Sequence, residues 1–135
     1  MLNGIHHVAV AVPALEAALP IYRDLLGFDL EAVETVPDQG VRVAVLTRAG
    51  DRMELLEPLA EDSPVARFLE KRGPGLHHVC LDVRDLDGLL ERMRGAGIRL
   101  IDEEPRVGAQ GRRIAFVHPA STGGVLIELS EAPAE

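Results

Sequence analysis

Aromatic residues are scarce in this sequence, at 3% with no Trp, so there is little material for base-stacking platforms. Basic residues are also outnumbered. Fourteen Lys and Arg stand against 22 Asp and Glu, a net charge of −8, and a phosphate backbone is repelled at long range. Cys80 is the single cysteine; it cannot bridge internally, which suits a reducing cytoplasm. No apolar run approaches the roughly 20 residues that a membrane helix needs. The segment Met1-Leu2-Asn3-Gly4-Ile5-His6-His7 lacks the basic and apolar regions of a signal peptide. These absences point to a cytoplasmic protein with neither a nucleic-acid nor a membrane partner. What is present is globular: 135 residues, 47% hydrophobic, one domain's length, able to bury roughly two-thirds of its unfolded surface. An anionic small-molecule substrate would need a local basic cluster or a bound cation.

The sequence repeats itself. Gly4-Ile5-His6-His7-Val8-Ala9-Val10-Ala11-Val12 returns 71 residues later as Gly75-Leu76-His77-His78-Val79-Cys80-Leu81-Asp82-Val83. Leu15, Leu19 and Arg23 then fall on Leu86, Leu90 and Arg94. Each copy closes on a similar segment, Arg52-Met53-Glu54-Leu55-Leu56-Glu57 and Leu126-Ile127-Glu128-Leu129. Two copies at this period are an internal duplication and not a solenoid.

Residues 4–12 read as a strand ending near Pro13. Residues 14–26 have helical spacing at Leu15, Ala18, Leu19, Tyr22 and Leu26, stop at Gly27, and carry a Pro20 expected to kink the helix. Residues 28–35, 41–48 and 52–57 read as strands separated by Pro37-Asp38-Gln39-Gly40 and Ala49-Gly50-Asp51. The unit is βαβββ. The second copy predicts a strand at 75–83, a helix at 85–95, and strands near 98–103, 112–117 and 124–130. Between them Asp62-Ser63-Pro64 opens a short helix to about Arg72. The fold class is α+β, with module one about 1–58, a linker about 59–74 and module two about 75–131, together a single domain.

Strand alternation sorts the paired histidines. His6 shares a face with Val8, Val10 and Val12, and His77 with Val79, Leu81 and Val83; these bulky faces belong on the helices. His7 lies with Ala9 and Ala11, and His78 with Cys80 and Asp82, faces whose small residues leave open space. His7 and His78 are therefore the functional candidates, and His6 and His77 packing or capping residues. Glu54 and Glu128 interrupt apolar strands at equivalent places, and a buried carboxylate needs a partner. With pseudo-twofold packing, two His and two Glu converge on one shared partner. Imidazole with carboxylate suits Mn, Co, Ni, Fe, Mg or Zn. His118 is assigned a structural or substrate-proximal place and is not a ligand.

Further segments carry a resemblance: Met53-Glu54-Leu55-Leu56-Glu57-Pro58-Leu59, Asp62-Ser63-Pro64-Val65-Ala66, Gly123-Gly124-Val125-Leu126-Ile127-Glu128-Leu129, and Arg106-Val107-Gly108-Ala109-Gln110-Gly111 followed by Phe116-Val117-His118-Pro119. With the two His-His strands they resemble the vicinal oxygen chelate (glyoxalase-type) superfamily and, within it, the methylmalonyl-CoA epimerases. The resemblance implies two βαβββ modules in a curved mixed sheet around a metal, with His7, Glu54, His78 and Glu128 as ligands. It further implies a homodimer, a divalent ion with Co favoured, and an acyl-CoA thioester epimerised through an enolate. Glu128 is the leading proton-transfer group. Glu54, or a group from the Asp38-Gln39 turn, is the weaker candidate for the second. Some epimerases carry a Glu with an acid/base role where this chain has Val43, and Val cannot take that role. Arg42, Arg48, Lys71, Arg72, Arg112 and Arg113 are available to the CoA phosphates. The alternatives are a glyoxalase I-type lyase acting on a glutathione hemithioacetal, and a metal-free ligand-binding protein of the same fold.

Overall fold

The computed structural model describes residues 1–134. The protein is mixed α+β, and the chain divides into two compact units: His7–His77, and Met1–His6 with the described residues from His78 onward. In chain order its elements are β1 (Leu2–Ala11), α1 (Leu15–Leu19), β2 (Asp29–Val36), β3 (Val41–Arg48), β4 (Asp51–Pro58), α2 (Pro64–Arg72), β5 (Gly75–Val83), α3 (Leu86–Gly95), β6 (Arg106–Val107), β7 (Arg113–Val117) and β8 (Ile127–Glu131). Among the described residues no helix is long and apolar enough to cross a membrane.

In the His7–His77 unit the strand order is β2-β3-β4-β1. β1 runs parallel to β4, whereas β2–β3 and β3–β4 are antiparallel. The aliphatic face packs as the alternation requires: Val10, Val12, Ala44, Leu46 and Leu55 form one core with Leu15 and Ala18 of α1. Pro20 has a specific effect on the helix behind them. It withholds an amide from the α ladder, and the chain continues as a π-helical turn, Pro20–Leu25, closed by Leu26 N–H donating to the Ile21 carbonyl at 2.9 Å. The expected kink is thus a widened turn.

The other unit repeats the plan, with order β5-β8-β7-β6 and β5 parallel to β8. Val83, Ala115, Val117 and Leu129 pack on Leu86 and Leu90 of α3. One expected strand is not there. Over residues 98–103 only Leu100 bridges, to Val117, and the outer strand is instead the two-residue β6. Asp102 explains the loss: its carboxylate accepts the Phe116 amide at 2.8 Å, taking the donor that a neighbouring strand's carbonyl would need. The amides of Ile101 and Asp102 both turn to the Phe116 carbonyl, at 2.9 and 3.3 Å.

The linker helix α2 starts as expected, with Ser63 Oγ accepting from the Ala66 amide at 3.2 Å. The turn Pro37–Gln39 ends at Gly40, whose φ of 65° and a site where an added Cβ would meet Ser63 Cβ at 2.9 Å both require glycine.

Both modules share a capping device that the sequence reading missed. Glu57 Oε1 accepts the Leu15 amide at 2.9 Å, and Glu131 Oε2 accepts the Leu86 amide at 2.8 Å. Each glutamate lies three residues beyond the site carboxylate of its strand, so on the opposite, helix-facing side. The signal was legible as a second repeat, Glu-x-x-Glu at 54–57 and 128–131. Glu57→Ala is expected to cost about 1.5–3 kcal/mol, the range for a hydrogen bond to a charged group, read as a lower denaturation midpoint at unchanged m-value.

Candidate metal centre

In the His7–His77 unit, β1 and β4 bring His7 and Glu54 together. Ala9 is the register partner of Glu54, and His7 shares its face two residues upstream. His7 Nδ1 lies 3.2 Å from Glu54 Oε2. The surrounding strand residues are aliphatic, Val45 standing opposite Glu54 on β3. The unit from His78 onward builds the same pair from β5 and β8. Glu128 is in register with Cys80, and His78 Nε2 lies 2.9 Å from Glu128 Oε1. All four side chains belong to residues only 5% exposed.

Burying a carboxylate against an imidazole on an apolar strand is costly unless the charge is compensated. A duplicated His–Glu pair is what a divalent cation would compensate, because neutral imidazole nitrogen and carboxylate oxygen are its common ligands. The donor chemistry and the burial therefore fit a divalent ion.

Phe116 was not singled out by sequence, yet it is in register with Glu128 on β7. It packs edge-on to His78, with ring centroids 5.3 Å apart at 89°, and so fixes that imidazole's plane. His77 contacts Phe68 of α2 in a T-shaped pair at 4.9 Å, the packing place expected of it. His118 Nδ1 accepts the Ala120 amide at 3.0 Å, a turn-capping place.

Of the basic residues considered for phosphates, Arg42 pairs with Glu57 at 3.2 Å, Arg48 with Asp29 at 3.6 Å, and Arg113 with Glu131 at 2.9 Å. Arg113 also donates to Asp87, holding that carboxyl below its ordinary value. Arg72 lies over the Phe68 ring. Arg112 is different. Its guanidinium pairs with Asp82 and donates through Nε to Ser130 Oγ at 2.5 Å, on the face of the strands that carries His78 and Glu128.

The sequence model of the Glyoxalase/Bleomycin resistance protein/Dioxygenase superfamily matches residues 6–116. The ethylmalonyl-CoA/methylmalonyl-CoA epimerase of Cereibacter sphaeroides is 43% identical, covering 97% of this chain and 99% of the relative. This chain belongs to the methylmalonyl-CoA epimerase family of that superfamily. The methylmalonyl-CoA epimerase of Mycobacterium tuberculosis has a similar structure, with a TM-score of 0.92 at 44% identity over 98% of this chain and 90% of that one. A Streptomyces coelicolor methylmalonyl-CoA epimerase variant, solved with 2-nitronate-propionyl-CoA, gives a TM-score of 0.92 at 38% identity over 99% of this chain and 97% of that one. The βαβββ modules, the buried His–Glu pairs and the family thus agree.

Proposed function

We propose that this chain epimerises methylmalonyl-CoA, interconverting its 2R and 2S forms by proton transfer at C2. The observation that carries this is the duplicated buried His–Glu pair in a chain so similar, over nearly its full length, to methylmalonyl-CoA epimerases. C2 lies between a thioester and a carboxylate. Removing its proton leaves an enolate, and the oxyanion needs stabilisation as charge develops. The ligand of the Streptomyces relative, 2-nitronate-propionyl-CoA, carries a planar anion of that kind, which supports an enolate route.

His7, Glu54, His78 and Glu128 are the ligands we assign to a divalent ion, Co favoured over Mn, Ni, Mg and Zn on family resemblance. Such an ion, when bound, supplies Lewis-acid stabilisation and positive charge for an anionic substrate. The chain contributes the rest. Phe116 holds the His78 ring in orientation, and the aliphatic strands exclude water from the carboxylates. Glu128 is assigned the proton transfer on one face of C2. Glu54 is assigned chiefly to the ion. The homodimer and the cytoplasmic setting implied by resemblance and by the buried thiol of Cys80 belong to the same reading.

The test is solvent deuterium exchange at C2 of (2R)- and (2S)-methylmalonyl-CoA, with the glutathione hemithioacetal run in parallel. Exchange into both thioesters with interconversion is expected. Exchange confined to the hemithioacetal would overturn the assignment in favour of a glyoxalase I-type lyase.

A further inference from the structure

The two units share a His–Glu pair but differ one residue row further along the same face. The difference lies wholly within the unit that carries His78 and Glu128. We propose that Arg112 binds the free carboxylate of the substrate, and so selects acyl-CoA thioesters that carry one at C2. The inference rests on the epimerase reading above.

The sister module shows what the fold needs at this place. There Ala11 of β1 is in register with Leu56 of β4, Leu56 with Val43 of β3, and Val41 lies two residues before Val43 on the same face. Ala11, Val41 and Leu56 are all buried hydrocarbon. Counted from the shared His and Glu, their equivalents are Asp82, Arg112 and Ser130. Asp82 of β5 is in register with Ser130 of β8, Ser130 with Ile114 of β7, and Arg112 lies two residues before Ile114. Three apolar positions in one copy are thus three polar ones in the other. An ion pair withdrawn from water gains little or nothing over well-packed hydrocarbon of similar volume. Stability does not account for the exchange, which leaves a role in binding.

The guanidinium is held in place. Nε donates to Ser130 Oγ at 2.5 Å, and Nη2 donates to the Ser130 carbonyl at 3.2 Å and to Asp82 Oδ1. The backbone is tied as well, with Gly108 N–H donating to the Arg112 carbonyl at 2.9 Å across the Ala109–Gly111 turn. Among the described residues Nη1 meets no partner. Its N–H groups, on a fork whose plane is already set, are donors of the kind that a carboxylate oxygen takes up. The adjacent Arg113 differs, being engaged by Asp87 and by the helix-capping Glu131.

Position decides between the two anionic ends of an acyl-CoA. Ser130 lies two residues from Glu128 on the same face, about 7 Å between Cα atoms. Proton transfer brings C2 to about 3–3.5 Å from its acceptor, and the free carboxylate is bonded to C2 itself. The CoA phosphates lie beyond the pantetheine arm. A cation one row from Glu128 is matched to the carboxylate.

The test is direct binding of malonyl-CoA and propionyl-CoA to the metal-loaded protein, measured by calorimetry. The two share the CoA tail, and only the first carries the carboxylate. Arg112→Met is expected to weaken malonyl-CoA binding by about 10–100-fold, as loss of a hydrogen bond to a charged group does, and to leave propionyl-CoA binding unchanged. The combined variant Asp82→Ala/Arg112→Val/Ser130→Leu installs the hydrocarbon of the sister module. It should fold and show the same selective loss, and because Asp82 goes too, repulsion by an unpaired carboxylate is excluded as the cause. Equal losses for both thioesters would assign Arg112 to the CoA tail and overturn the proposal, as would no loss for either. Failure of both variants to fold would assign the three residues to the fold and overturn it too. Wild type that prefers malonyl-CoA yet epimerises neither form of methylmalonyl-CoA would instead overturn the epimerase reading.

Discussion

Glu128→Gln is expected to lower the kcat of epimerisation by about 10²–10⁴-fold, the contribution of a positioned acid/base group. Glutamine keeps the shape of the side chain and can still meet His78 through its amide, so β8 and its pairing with β5 should persist. What it cannot do is accept the C2 proton. Because Glu128 is also assigned to the ion, the measurement must pair kinetics with metal stoichiometry. A variant that retains its metal and loses turnover identifies the carboxylate as the proton acceptor. A variant that turns over at the wild-type rate with metal bound removes Glu128 from that role.

His78→Ala should abolish the stabilisation that metal gives. A ligand that binds the folded state alone, present at 100 times its Kd, stabilises by about 2.7 kcal/mol. Wild type freed of metal should therefore unfold at lower temperature, and its Tm should rise when the metal is returned. The variant should show little or no rise, because it has lost an imidazole that is 5% exposed and 2.9 Å from Glu128. Calorimetry with and without Co or Mn reads this independently of any activity. An unchanged metal-dependent rise in the variant would exclude His78 as a ligand.

Much of the fold was legible because its signals are local. The 71-residue repeat marked the duplication, and Pro13, Gly27 and the Pro37–Gly40 segment marked element ends. Alternation alone separated His7 from His6 and His78 from His77, and the structure buries the two selected members. The misreadings came from side chains that replace backbone partners. Asp102 takes an amide from β7 and dissolves a predicted strand, which an apolar pattern at 98–103 does not reveal. Glu57 and Glu131 cap helices that lie 42 and 45 residues away in sequence.

The Glu-x-x-Glu spacing on β4 and β8 makes strand placement self-checking. If β4 slid by one residue, Glu54 would rotate into the hydrocarbon beneath α1, and Glu57 would leave the Leu15 amide. A single slip would therefore cost both a helix cap and a site carboxylate, and the same holds for β8 with Leu86. Misaligned forms are penalised twice in each module, and an insertion or deletion within either four-residue stretch would be felt at the helix start and at the site together. Length changes should instead be accommodated in turns such as Ala49-Gly50, outside the four-residue stretches.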